Sequence, residues 1–167
     1  MQKSSFNDLE AIEIAINIEK RGERFYTMAL QHVSDAAARE MLAGLAEQER
    51  EHAATFQDIY NELLAKKNGF DDIYIYDPEV SAYFRTMVES AIFPTDEVQD
   101  EIMKKAEGIA DIMALGIQAE KEAILYYTEM VIHSKLVDAK EAFRRLIKEE
   151  KKHLIDLQSR LNACNAK

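Results

Sequence analysis

A single cysteine, Cys164, leaves the chain without an internal disulfide and without the Cys-x-x-Cys pairs of a zinc ribbon or a four-cysteine iron site. A reducing, cytoplasmic setting is expected. Tryptophan is absent, and five glycines and two prolines in 167 residues are too few for the tight turns of a β-sandwich. Long apolar runs are missing as well: none approaches the ~18 uncharged residues of a membrane span, and the opening "MQKSSFNDLE" has no apolar stretch suited to secretion. Neither a membrane nor an export route is expected. Basic charge is also scarce, with 21 Lys and Arg against 31 Asp and Glu, so the net charge of -10 would repel a phosphate backbone. No nucleic-acid partner is expected.

What is present favours helix. A composition 47% hydrophobic and 31% charged is rich enough in apolar residues to bury one core, and one domain over residues 1–167 is expected. Ile12, Ala15, Ile16, Phe25, Tyr26 and Ala29 recur at helical spacing, which predicts a helix over about residues 7–32. Further long helices are predicted over about 35–66, 108–133 and 138–162, with Gly69 as the stop after the second. The connector 69–107 differs, being aromatic ("FDDIYIYDPEVSAYF") and holding both prolines. Asp77-Pro78 fits an N-cap followed by Pro at the first helical position, and Asp96 with Gln99 fits a capping box, so two short helices are expected there. Some forty residues exceed what an antiparallel neighbour needs. The expected fold is therefore an all-α four-helix bundle of two hairpins joined by a long crossover with short helices.

The two hairpins are copies of each other. Laying residues 8–60 over 109–161, a shift of 101, gives twelve identities, including Glu19/Glu120, Tyr26/Tyr127, His32/His133, Glu49/Glu150 and His52/His153. Chance gives roughly three. Glu19 and Glu49 are equidistant from residue 34 in the predicted turn, each roughly 22 Å of helix from it, so they face each other across the first hairpin. Glu120 and Glu150 do the same about residue 135.

Each of these glutamates interrupts an apolar seam: Ile12, Ala15, Glu19, Tyr26 on the first helix; Leu42, Leu45, Glu49, His52, Phe56 on the second; Met113, Gly116, Glu120, Tyr127 on the third; Phe143, Leu146, Glu150, His153, Leu157 on the fourth. Four acids thus point into one core. A buried unpaired carboxylate costs several kcal/mol, and clustered carboxylates repel one another, so they must either protonate or surround concentrated positive charge. Two divalent cations would supply it. Residues three apart lie on one helix face, so Glu49-x-x-His52 and Glu150-x-x-His153 each aim a carboxylate and an imidazole at one region. A Glu from each of two helices plus a Glu-x-x-His from each of the other two is the ligand template of the ferritin-like di-iron and di-manganese proteins, and this sequence completes it.

On Glu19, Glu49-x-x-His52, Glu120 and Glu150-x-x-His153 the chain resembles the rubrerythrin branch of the ferritin-like superfamily. That resemblance implies two Fe ions, with Mn or Zn as alternatives, bridged by Glu49 and Glu150 and completed by Glu19, Glu120, His52 and His153. It also casts Tyr26 and Tyr127 as tyrosines that orient ligand carboxylates. Rubrerythrins usually add a rubredoxin segment with cysteine pairs; here an external rubredoxin-like electron donor is implied. The family's extra glutamate, one turn after the third-helix ligand, is replaced by Ala123, with Gly22 as its counterpart, which leaves room for a small oxidant. Glu23, four residues after Glu19, is a candidate extra ligand. The implied activity is non-haem di-iron reduction of hydrogen peroxide or dioxygen; the alternatives are ferritin-like iron oxidation and sequestration with little peroxide turnover, or a scaffold holding Zn. A homodimer through helix faces is the expected assembly.

Other features have plainer readings. Tyr26 and Tyr127 could be core aromatics, and the glutamates could form a solvated stripe, were they not in matched seams. His32 and His133 lie about 20 Å of helix from the glutamates and suit helix C-termini. Tyr74, Tyr76, Tyr83 and Phe84 are expected to pack under the crossover or at a subunit contact, and Lys148, Lys151 and Lys152 to form a solvated face.

Overall fold

The structure, a computed structural model, describes residues 6–66, 75–89 and 93–166. Its helices are α1 (Asp8–Ala29), α2 (Ala36–Ala65), α3 (Pro78–Glu89), α4 (Asp96–Lys105), α5 (Ile109–His133) and α6 (Val137–Asn165). α1 pairs with α2 and α5 with α6 as two hairpins. The architecture is the expected all-α ferritin-like bundle, with the short helices α3 and α4 in the crossover. Gly69 and Tyr74 lie outside the described residues.

Local chemistry sets the helix starts. Asn7 accepts a hydrogen bond from the Glu10 amide at 2.9 Å, and Asp35 accepts one from the Ala38 amide at 2.8 Å, so each side chain satisfies a donor the helix cannot. Pro78 opens α3, where its missing N–H costs nothing. The capping box read at Asp96 and Gln99 does not form: the N-cap is Thr95, which makes no side-chain cap bond. Gln99 is instead fully buried, its amide donating to the carbonyls of Arg21 and Pro94 at 3.1 Å while its oxygen accepts from Arg24. A tertiary tie between α4 and α1 has displaced the local one, and Arg24 strengthens it by reaching Asp100 at 2.8 Å.

The seams named from the sequence meet in the core. Ile12, Ala15, Tyr26, Leu42, Leu45, Phe56, Met113, Tyr127, Phe143, Leu146 and Leu157 are all buried there. The crossover enters the same core at one end of the bundle. Phe84 stacks on Phe6 with ring centroids 5.4 Å apart and meets Tyr76, Tyr126 and His133. Asp8 clamps that end: it accepts from the Tyr76 hydroxyl and, at 2.9 Å, from the Lys135 amide in the turn between α5 and α6. An isolated antiparallel bridge pairs Asn7 with Ile75 at the same end. Tyr83, by contrast, is exposed.

Candidate metal centre

Four helices deliver six polar side chains to the middle of this apolar interior. Glu19 comes from α1, Glu49 and His52 from α2, Glu120 from α5, and Glu150 and His153 from α6, and none is more than 3% exposed. The structure brings them together in two overlapping groups. Ligand-capable atoms of Glu19, Glu49, His52 and Glu150 lie within 4.8 Å of one another, and so do those of Glu49, Glu120, Glu150 and His153. Glu49 and Glu150 belong to both. The Nδ1 atom of each imidazole faces inward: that of His52 is 3.1 Å from Glu150 and 3.2 Å from Glu19, and that of His153 is 2.8 Å from Glu150 and 3.2 Å from Glu49. The two rings stack, 5.7 Å apart at 18°.

The tyrosines brace the cluster across the hairpins. Tyr26 of the first hairpin donates its hydroxyl to Glu120 of the second, and Tyr127 of the second donates to Glu19 of the first. Burial, then the neighbouring carboxylates, pushes both hydroxyls well above the usual tyrosine range, so they remain donors.

Even so, the cluster is not satisfied internally. Glu49 Oε1, Glu120 Oε2, both carboxylate oxygens of Glu150 and His153 Nδ1 are buried without a hydrogen-bond partner. Close approach to an imidazole is not alignment with it. An orphaned buried polar atom costs about 1–3 kcal/mol, more if charged, so inward-facing lone pairs on oxygen and nitrogen fit a positively charged guest with several coordination positions. The donor set of carboxylates and imidazoles with open positions matches Fe or Mn better than a closed structural zinc site.

Without a cation, protons must serve in its place. Burial raises the Glu120 carboxyl to about 8, and burial with the facing Glu150 and Glu19 raises Glu49 well above its ordinary value. For His153, burial opposes the charged form, but the surrounding carboxylates of Glu120, Glu150 and Glu49 prevail and push it up to about 12; His52 is raised in the same sense by Glu150, Glu19 and Glu49. Burial would raise Glu150 too, yet the imidazoles of His153 and His52 beside it hold it at about 2. The stability lent by a group whose pKa is raised on folding is present below its unfolded value and disappears as pH climbs through the folded one. For Glu120 that window runs from 4.5 to about 8, and for His153 from 6.5 to about 12. Glu150 has the opposite sign, but its contribution is lost only on acidification from 4.5 towards about 2. The melting temperature of chelator-treated protein is therefore expected to fall between about pH 6 and pH 8. Bound divalent metal should reverse the slope, because metal displaces these protons; a melting temperature that rises with pH without metal would contradict this account.

The other residues singled out in the sequence lie around the cluster or apart from it. Glu23 is half-buried and lies in neither group. The room expected at Gly22 is filled: a Cβ there would stand 3.2 Å from the Phe93 ring and 3.3 Å from Glu49 Cδ, so the glycine admits both the crossover aromatic and the carboxylate. Ala123 is buried. His32 is exposed after α1, and His133 ends α5, 3.4 Å from Glu129; both stand apart from the cluster. Lys148, Lys151 and Lys152 are exposed. Two contributors were missed. Glu149 lies 2.7 Å from His52 Nε2, and Gln48 lies 3.2 Å from His153 Nε2. They occupy equivalent positions of the repeat, but they differ in type, so a count of identities passes over them.

Comparison with known proteins bears on the family and the fold. The family model described as Rubrerythrin matches residues 10–161. Among solved structures, a Thermotoga maritima protein described as ferritin-like and diiron-carboxylate superposes with a TM-score of 0.71, at 21% identity, over 96% of this chain and 98% of that one. At that identity the likeness speaks for the fold. No curated protein sequence matches the chain.

Proposed function

The chain belongs to the rubrerythrin family, and on that premise we propose that its buried cluster binds two iron ions and that the protein is a non-haem di-iron oxidoreductase reducing hydrogen peroxide or dioxygen. The observation that carries this reading is the sharing of Glu49 and Glu150 between two four-residue groups in a dry core. Two cations held in common by Glu49 and Glu150 would satisfy both groups at once. Glu19 and His52 would complete the holding of one ion, and Glu120 and His153 that of the other.

When bound, a ferrous pair supplies two electrons, which with two protons convert one hydrogen peroxide to two waters. The protein's own part is positional. Tyr26 and Tyr127 hold Glu120 and Glu19 from the opposite hairpin, and Glu149 and Gln48 hold the outer edges of the imidazoles, leaving Nδ1 free to coordinate. Tyr26, Phe56, Phe93 and Tyr127 wall the cluster from bulk water. A rubredoxin-like protein is the electron donor in this reading, the 167 residues holding one cysteine, Cys164. The same buried, carboxylate-rich cluster also suits a second reading, ferritin-like iron oxidation and sequestration.

Stopped-flow mixing of anaerobic protein, loaded with two ferrous ions per chain, separates the two. Faster oxidation by peroxide than by dioxygen is expected. Oxidation selective for dioxygen, with iron accumulating beyond two per chain, would replace the peroxidase reading by the storage reading.

A further inference from the structure

The six inward side chains are identical between the two halves of the repeat, but the pair that grips the imidazoles from outside is not. Gln48 and Glu149 are related by the same shift of 101, each immediately before the glutamate shared by both groups. Each reaches across to the imidazole of the other helix, Glu149 to His52 at 2.7 Å and Gln48 to His153 at 3.2 Å. Their supports differ in step. The Gln48 amide nitrogen donates to the Gly44 carbonyl at 3.2 Å, which turns its oxygen to the ring, whereas one Glu149 oxygen lies 3.7 Å from the Arg145 guanidinium and the other accepts from His52. Positions 44 and 145 are themselves equivalents in the repeat.

Either acceptor keeps the ring proton on Nε2 and the lone pair on Nδ1, but not with equal force. A hydrogen bond to a carboxylate is roughly twice as strong as one to a neutral amide. It draws the Nε2 proton further and makes Nδ1 the stronger electron donor. Glu149 also adds one negative charge at the His52 end, and Arg145, being exposed and at 3.7 Å, offsets it only in part. The inward-facing ligands of the two groups are matched in type.

We propose that Glu149 is a positioning residue that makes the Glu19, Glu49, His52, Glu150 group the tighter of the two cation sites, so that a duplicated ligand set binds its two ions unequally. This rests on the two-cation reading of the cluster. Its consequence is order: the His52 end fills first, and a more highly charged ion is held there in preference to the His153 end.

The test is anaerobic titration of the metal-free full-length chain with Co(II), followed by calorimetry and by the visible absorption of the bound ion. Wild type is expected to bind two Co(II) per chain in two resolved steps. Glu149→Gln should weaken the tighter step by about 10- to 100-fold, the usual effect of losing such an outer partner, and bring the two constants together. Gln48→Glu should tighten the weaker step and alter the spectrum of that ion. Loss of packing alone would weaken both steps alike. Two indistinguishable steps in wild type, unchanged constants in Glu149→Gln, or equal weakening of both would each overturn the proposal while leaving the two-cation reading standing. Fewer than two Co(II) bound by wild type would overturn both.

Discussion

The double substitution Glu49→Gln, Glu150→Gln is expected to abolish uptake of both cations while leaving the chain helical. These are the two residues common to both groups, so each four-residue set loses two anionic ligands at once. Glutamine keeps the volume of glutamate, so the seam stays filled and the loss reads as lost coordination. In wild type, a cation at about a thousand times its dissociation constant adds about 4 kcal/mol of stability. At about 2–4 °C per kcal/mol for a chain of this size, each ion should raise the melting temperature by roughly 10 °C. The variant should show no metal-dependent rise and less than one bound ion by elemental analysis. Retention of two ions by the variant would mean that the bridging assignment is wrong.

Phe84→Ala should produce the largest loss of stability outside the cluster. Phe84 is fully buried among Phe6, Tyr76, Tyr126 and His133, and these neighbours are not free to collapse into the space it would leave. Tyr76 is tied to Asp8, and Tyr126 donates to the Ala11 carbonyl at 3.0 Å. A truncation of Phe in so constrained a place costs about 3–5 kcal/mol. With a slope of about 2 kcal/mol per molar urea, the unfolding midpoint should move down by about 2 M. A loss below about 1 kcal/mol would show that the crossover unfolds apart from the bundle, since surface positions fall in that range.

The bundle and the central cluster were legible because both obey short-range rules. A carboxylate in an apolar seam declares itself by period, and the duplication repeats that signal at a fixed offset. The crossover was harder, because Tyr76 and Phe84 find partners some forty to eighty residues away, and no local pattern names them. Gln99 shows the same limit from the other side: it satisfied the capping pattern, but burial against α1 offered its amide two carbonyls that the pattern does not contain. Gly22 was read as open space because a missing side chain says nothing about which distant ring arrives to fill it. Glu149 and Gln48 escaped notice since each serves the histidine of the other helix, a relation invisible to spacing along either one.

The crossed tyrosine contacts constrain what half of this molecule could be. An isolated hairpin of α1 and α2 would keep Tyr26 but lose Glu120, its acceptor, and would keep Glu19 but lose Tyr127, its donor. A second copy of the same hairpin, related by a twofold axis, would restore every one of those contacts. The present chain is in that sense a tethered dimer of itself. Joining the copies frees each to drift alone, and the mismatch of carboxamide and carboxylate behind the two imidazoles is a change that no pair of identical hairpins could carry.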